Sequence, residues 1–194
     1  VIAVVNAGLE ESLSDQAEFL LASEVADAGS IVLSRSQEVP VTKQDATIEH
    51  LNRSLVKFGC RRQIKGDEVL RSPWNEWTER EFERVLNGGY CTESYRKPEY
   101  RENQGFQSLY YMNLQIKKEE LKEKIKEALK DLACGKLFRI KGFMQDENEK
   151  WIELNATQYE IQMNPVGEGQ NVLIVIGEGL EEDALAKYFG TPAR

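Results

Sequence analysis

Residues Leu137–Leu185 read LFRIKGFMQDENEKWIELNATQYEIQMNPVGEGQNVLIVIGEGLEEDAL, and the fold of the last part of the chain follows from their pattern. In Leu137–Gln145, Phe138, Ile140 and Met144 share one face while Arg139 and Lys141 share the other, because side chains alternate along a strand. Asp146–Lys150 supplies a polar turn. In the next strand Ile152, Leu154 and Ala156 hold one parity, and Tyr159, Ile161 and Met163 hold the other. That switch predicts a bulge or bend near Thr157 and Gln158. Val172–Ile176 is apolar throughout and predicts a central strand covered on both faces. Glu181, Glu182 and Asp183 then open a helix at the end where its dipole favours anions.

Before this stretch, Tyr110, Met112, Leu114 and Ile116 alternate with more polar residues over Ser108–Ile116, which predicts a half-buried strand. Lys117–Ala133 predicts an amphipathic helix with Leu121, Ile125, Ala128, Leu129 and Leu132 as its stripe and Glu120–Lys124 as a supporting pair four residues apart. Its other side reads as a solvated face in which acids alternate with lysines. Residues 106–194 therefore predict an α+β domain of order β-α-β-β-β-α, with helices on one face of a mostly antiparallel sheet.

The first 105 residues are organised differently. Val1–Val5 (VIAVV) predicts a fully buried strand of the kind found in parallel sheets. Ser14 fits a helix N-cap, followed by a stripe of Ala17, Leu20, Leu21 and Val25. Ile31–Leu33 is a second short apolar strand. Thr42–Asp45 resembles a capping box, Ile48, Leu51, Leu55 and Phe58 follow at helical spacing, and Gly59 closes that helix. Strand, helix, strand, helix is half of an α/β unit. Thr78–Glu81 is a capping box, with Trp77 and Phe82 at staple positions and an end near Asn87–Gly89. The polar stretch Tyr95–Gly105 reads as a boundary.

Composition narrows the functional classes. The formal net charge of −8 over 194 residues disfavours a nucleic-acid partner, since phosphate binding needs clustered Lys and Arg. Cys60, Cys91 and Cys134 are scattered and odd in number, which fits a reducing cytoplasm better than a disulfide framework. The apolar runs are strand-length, so no membrane partner is expected. The chain begins without Met, as an excised piece of a longer protein would.

The strand order from Gln107 to Gly190, together with Arg139-x-Lys141-Gly142, Trp151 and Ile176-Gly177, resembles the C-terminal domain of the CobW family. These are P-loop GTPases linked to metal-centre assembly, among them cobalamin-synthesis proteins, nitrile hydratase activators and zinc metallochaperones. Val1–Ala7 resembles the family strand that ends V-D-A, with Asn6 in place of the Asp. Gln16–Leu33 resembles the helix and strand leading to the base-reading loop, so residues 1–105 read as a remnant of the partial P-loop-type sheet plus a connector.

Where the family loop reads N-K-x-D, this chain has Ser34-Arg35-Ser36-Gln37. The family Asp is an acceptor-only carboxylate for two guanine N–H groups, whereas Gln37 is neutral and carries competing donors. Losing that charge-assisted pair, worth roughly 1.5–3 kcal/mol, erases most guanine selectivity. Ser34 cannot replace the amide of Asn, and Arg35 retains only a stem able to cover a base face. No G-x-x-x-x-G-K-[ST] and no C-x-C-C occurs. The resemblance thus implies a chain with no catalytic residues and no cofactor of its own. GTP and a divalent metal belong to a parent protein.

The expected role is a protein-interaction or regulatory module in metal-centre assembly, with Arg139 and Lys141 as the face for a client or regulatory protein. Exposed sheet edges predict self-association. The alternative is part of a nucleotide hydrolase with altered base specificity whose P-loop lies upstream. A third reading, a metal-binding module, requires Cys60, Cys91, Cys134 and His50 to converge. Trp74 is a candidate partner anchor. Gly177-Glu178-Gly179 reads as a tight strand-to-helix turn, because its acidic surroundings repel phosphate.

Overall fold

The structure is a computed structural model that describes residues 1–99 and 105–193. The chain divides into two compact units, Val1–Glu99 and Tyr100–Arg194.

The first unit is built on a three-stranded parallel sheet of order β1-β2-β3, from β1 (Ile2–Asn6), β2 (Ser30–Ser34) and β3 (Val69–Leu70). Two helices, α1 (Asp15–Asp27) and α2 (Val41–Lys57), pack over its core. Ala22, Val25 and Ala26 meet Leu51 and Leu55 over the inward side chains Ala3, Val5, Ile31 and Leu33. The Ser14 hydroxyl caps α1 by accepting from the Ala17 amide at 3.1 Å. The Arg62 guanidinium donates to the carbonyls of Val25, Ala26 and Ala28 at 2.6–3.0 Å, where the helix dipole favours a cation. α3 (Glu79–Leu86) carries the expected capping box, and the Trp77 and Phe82 rings meet edge to face at 5.3 Å. Val85 and Trp77 cover Val32 and Leu70, on the opposite side from the main core.

Three expectations for this unit fail. β1 is not buried on both faces: Ile2 is 46% and Val4 64% exposed, because β1 is an edge strand whose helical cover lies on the side of Ala3 and Val5. Leu20 points outward, since the inward stripe of α1 runs through Ala22, Val25 and Ala26. Thr42–Asp45 is not a capping box. α2 starts two residues earlier, at Val41 behind the N-cap Pro40, and Asp45 pairs instead with Arg71 at 2.6 Å. The far end of α2 does close as expected, with Gly59 at φ +76°, a left-handed conformation that glycine adopts without Cβ strain.

The second unit is a five-stranded antiparallel sheet of order β4-β8-β5-β6-β7. Its elements in chain order are β4 (Phe106–Met112), α4 (Lys118–Ala128), β5 (Lys136–Gln145), β6 (Trp151–Ala156), β7 (Ile161–Pro165), β8 (Val172–Glu178) and α5 (Glu182–Phe189). Leu121, Ile125 and Ala128 of α4 and Ala184, Leu185 and Phe189 of α5 share one core with Ile140, Leu154, Leu173 and Val175. The helices therefore lie on one sheet face. Leu173, Val175 and Gly177 are buried beneath them, while Val172, Ile174 and Ile176 are only half-buried, so β8 is covered on one face rather than two.

The parity switch after Ala156 marks a hairpin and not a bulge: the Thr157 amide donates to the Glu160 carbonyl at 2.8 Å, and Ala156 faces Ile161. One expected strand is thus two, and the order is β-α-β-β-β-β-α. The bulge lies elsewhere, between Leu137 and Arg139, and it places Leu137 instead of Phe138 in the core. β4 also presents the opposite face from the one expected. Tyr111 is 1% exposed, whereas Tyr110 and Met112 lie outside. A left-handed turn at Asn113 (φ 55°) then resets the phase, so Leu114 and Ile116 still pack on the core. α4 stops at Ala128. The Asp131 carboxylate accepts from the Ala133 amide at 2.9 Å and starts a 3₁₀ turn over Leu132–Cys134 that leaves Leu132 91% exposed.

Candidate functional site

Ser34, Arg35 and Gln37 follow β2, outside the carboxyl end of a parallel strand, where ligands of open α/β sheets bind. Ser34 donates to the Val5 carbonyl at 3.3 Å and so ties the loop to β1. Arg35 is left-handed at φ 58°, and its guanidinium meets the Glu38 carboxylate at 2.6 Å. The buried Gln44 amide donates to the Ser36 carbonyl at 3.0 Å and pins the turn from beneath. Gln37 is exposed.

All three residues border a cleft of about 370 Å³ whose walls are Ile2, Val4, Val32, Trp74 and Trp77. Among the described residues its lining contains no Asp, Glu, His or Cys, so they can hold a flat apolar group but offer no general base to activate a nucleophile. Trp74, 74% exposed at the rim, and the apolar faces of Ile2 and Val4 were not readable as parts of this cleft, because they converge only through the sheet.

In the second unit Arg139 and Lys141 project from the face of the sheet opposite the helices. Inter-strand register sets them in rows: Ser108, Ile176 and Arg139 form one, and Tyr110, Ile174, Lys141, Asn155 and Gln162 form the next. Arg139 donates to the Asn155 side-chain oxygen at 2.8 Å. Glu153 stands opposite Phe143, and among the described residues neither cation has a carboxylate partner. The face is a mixed platform of half-buried aliphatics with two available cations.

Two polar clusters complete the inventory. In the first unit Glu18 accepts from the Ser54 hydroxyl and contacts His50 Nε2 at 2.8 Å, with His50 only 5% exposed. The carboxylate lies between the other two groups, so the serine is not activated by the imidazole, and the cluster joins α1 to α2. In the second unit Asp131 accepts from Tyr188 at 3.0 Å and lies 3.8 Å from Cys134. The Ala133 amide and then the Tyr188 hydroxyl hold the Asp131 carboxyl below its ordinary range. Burial and then the Asp131 charge push the Cys134 thiol up to about 11, which leaves it an unreactive thiol near neutral pH. The Tyr111 hydroxyl is buried without a hydrogen-bond partner among the described residues, and burial followed by Glu182 raises it to about 12.

The three cysteines are free, and among the described residues no three His, Cys, Asp or Glu side chains are grouped to hold a metal. His50 is taken up by Glu18, so the convergence that a metal-binding module needs is not seen. Among the described residues no helix is long and apolar enough to cross a membrane. Gly177–Gly179 forms the tight strand-to-helix turn: the Leu180 amide that follows it is held by the Gln107 side chain at 2.8 Å.

The second unit is thus an α+β sheet module with one helix-covered face and one open face. Residues 113–191 match the family model described as the cobalamin synthesis protein cobW C-terminal domain. Residues 113–191 are thus similar to the C-terminal domain of the CobW family. No curated protein matches the chain. Two solved structures do. Zn(II)-bound YjiA GTPase from E. coli is 15% identical, with 97% of this chain and 59% of that chain covered at a TM-score of 0.36. A Zn(II)-bound triple mutant of YjiA GTPase is 14% identical, with the same coverage and a TM-score of 0.37. The chain spans 59% of the length of each.

Proposed function

We propose that this chain is a non-catalytic, protein-interacting portion of a CobW-type GTPase-family protein, acting in metal-centre assembly or metal trafficking in the cytoplasm. The observation that carries the reading is the match to the CobW C-terminal domain at residues 113–191, whose open sheet face displays Arg139 and Lys141 without carboxylate partners among the described residues. That face takes a client or regulatory protein. The chain itself uses no cofactor, and GTP and a divalent metal are handled by the parent.

A photo-crosslinker at Asn155, beside Arg139, tests the face in cells. The expected result is a discrete adduct with a metalloprotein that disappears in the Arg139→Glu/Lys141→Glu variant. An adduct indifferent to both substitutions overturns the reading. The exposed Ile2 and Val4 on the edge strand β1 also lead us to expect self-association, measured as a mass that rises with concentration in light scattering. A strict monomer counts against it.

The second reading is a nucleotide hydrolase with altered base specificity that draws its phosphate-binding loop from sequence outside residues 1–194. The observation favouring it is that Ser34, Arg35 and Gln37 border one cleft at the carboxyl end of β2. Calorimetric titration of the full-length protein with GTP and ATP, each with Mg²⁺, separates the two. Saturable binding that Gln37→Asp shifts toward GTP supports the hydrolase, and no saturable binding of either nucleotide sinks it.

A further inference from the structure

α4 carries lysines at four-residue intervals, Lys118, Lys122 and Lys126, which form one slanted row, and Lys130 follows at the same spacing just past the end of the helix. The acids that alternate with them in sequence lie off that row, and the face is therefore more than a solvated mixture of charges. The last three lysines line a groove of about 840 Å³ between α4 and the β6–β7 turn, within the range of pockets that hold whole ligands.

Leu129, Leu132 and Ile161 give the groove an apolar lining, and Tyr159 stands at the turn tip on the far wall. Leu132 and Tyr159 are 91% and 82% exposed, so two large apolar side chains of the lining are left open to water. Two hydrogen bonds fix the turn that presents Tyr159, Thr157 N–H to Glu160 O at 2.8 Å and Tyr159 N–H to Thr157 Oγ1 at 3.3 Å.

The charges are asymmetric. Lys126 is held by Glu123 at 2.6 Å, whereas Lys122 and Lys130 have no ion-pair partner among the described residues. Among the described residues Glu160 is the one carboxylate on the wall, and the Gln162 amide donates to it at 2.8 Å. With Lys126 held by Glu123, Lys122 and Lys130 still outnumber Glu160 and make this a cationic concavity on a chain of net charge −8. That overall charge, with Glu160 in the wall, opposes a nucleic-acid backbone or an anionic bilayer. A peptide presents a few carboxylates and an apolar anchor to the groove alone.

We infer that this groove binds an acidic peptide segment of a partner protein, with glutamates or aspartates along Lys122, Lys126 and Lys130 and one apolar side chain between Leu132 and Tyr159. The site lies beside the helix layer, across the sheet from Arg139 and Lys141, and does not depend on their role.

The test is fluorescence polarisation of the full chain with a fluorescein-labelled synthetic peptide of glutamates flanking one leucine. Glutamine replaces glutamate in the control peptide. Saturable binding is expected for the acidic peptide only, weakening as salt rises. The Lys122→Glu/Lys126→Glu/Lys130→Glu variant, its helix content verified by circular dichroism, should bind roughly tenfold more weakly. Tyr159→Ala at the exposed turn tip, which cannot unfold the domain, should cost about threefold. Lys150→Glu at the β5–β6 turn should change nothing. Absence of saturable binding overturns the proposal, as does binding indifferent to the triple reversal and to Tyr159→Ala. Sedimentation with phosphatidylserine-containing vesicles or retention by single-stranded DNA, with the peptide unbound, overturns it in favour of a different partner.

Discussion

The parallel sheet of the first unit and the antiparallel sheet of the second each bury aliphatic strands under two main helices, but they finish their other faces differently. The first leaves bare hydrocarbon: Ile2 and Val4 stand 46% and 64% exposed around an apolar cleft. The second intersperses half-buried Val172, Ile174 and Ile176 with Arg139, Lys141, Glu153 and Asn155. A sheet face of the first kind calls for a permanent cover, and one of the second kind tolerates water and suits contacts that come and go. The difference also shows that VIAVV and VLIVI, alike as strings, say only that one face of each strand is buried.

The largest test of this contrast is to open a cavity in each core. Ile140→Ala in the second unit and Leu51→Ala in the first, both 0% exposed, should each cost about 2–5 kcal/mol in chemical denaturation. Hydrogen exchange should report each loss in its own unit, and a loss spread evenly over both would break the two-core description. Next is the polar joint of the first unit. Glu18→Ala strands His50 and Ser54 in a buried site and should cost about 1.5–3 kcal/mol, with Glu18→Gln milder because its amide oxygen still accepts. The second unit has no counterpart of that joint between α4 and α5 among the described residues.

A smaller effect is expected at Thr78, whose capping box starts α3: Thr78→Ala should lower stability by about 1 kcal/mol in thermal melts. The smallest change at neutral pH, under about 1 kcal/mol, is expected for Tyr111→Phe, which removes a buried hydroxyl with no hydrogen-bond partner among the described residues. Its signature is alkaline. Cys134 rises from an ordinary 9.0 to about 11 and Tyr111 from 10.0 to about 12, and both groups become charged on losing a proton. The unfolded chain releases those protons first. Stability that is full below about pH 9 is therefore lost as pH rises through about 11 and then 12. Cys134→Ala should flatten the lower part of that decline and Tyr111→Phe the upper part, while the first unit keeps its own pH profile.

What could be read in the sequence follows the same division. The match over residues 113–191 includes Arg139-x-Lys141-Gly142, Trp151 and Ile176-Gly177, which carry the resemblance, and the alternation that puts Arg139 and Lys141 on one face holds. Patterning failed where a local backbone event reset the phase. Asn113 turned the face of β4 over, the hairpin at Thr157–Glu160 divided a strand, and Asp131 swung Leu132 outward. Each event rests on one or two residues, too few to alter a periodicity. The cleft and the lysine groove stayed hidden for another reason: their walls come from segments far apart in sequence. The four-residue spacing of the α4 lysines was readable, but the facing turn was not.

The place of β8 in the second sheet has a consequence for synthesis. β8 sits between β4 and β5, so the strand made first in this unit pairs with the strand made last, Phe106 with Glu178 and Met112 with Val172. On the ribosome β4 therefore waits with its edges unpaired while more than half of the unit is translated. Before β8 arrives, the nascent chain can form only the meander of β5, β6 and β7 and the local helix α4. Because non-local pairing closes slowly, the final strand acts as a keystone, and a chain truncated before Val172 should leave the exit tunnel as a client for chaperones.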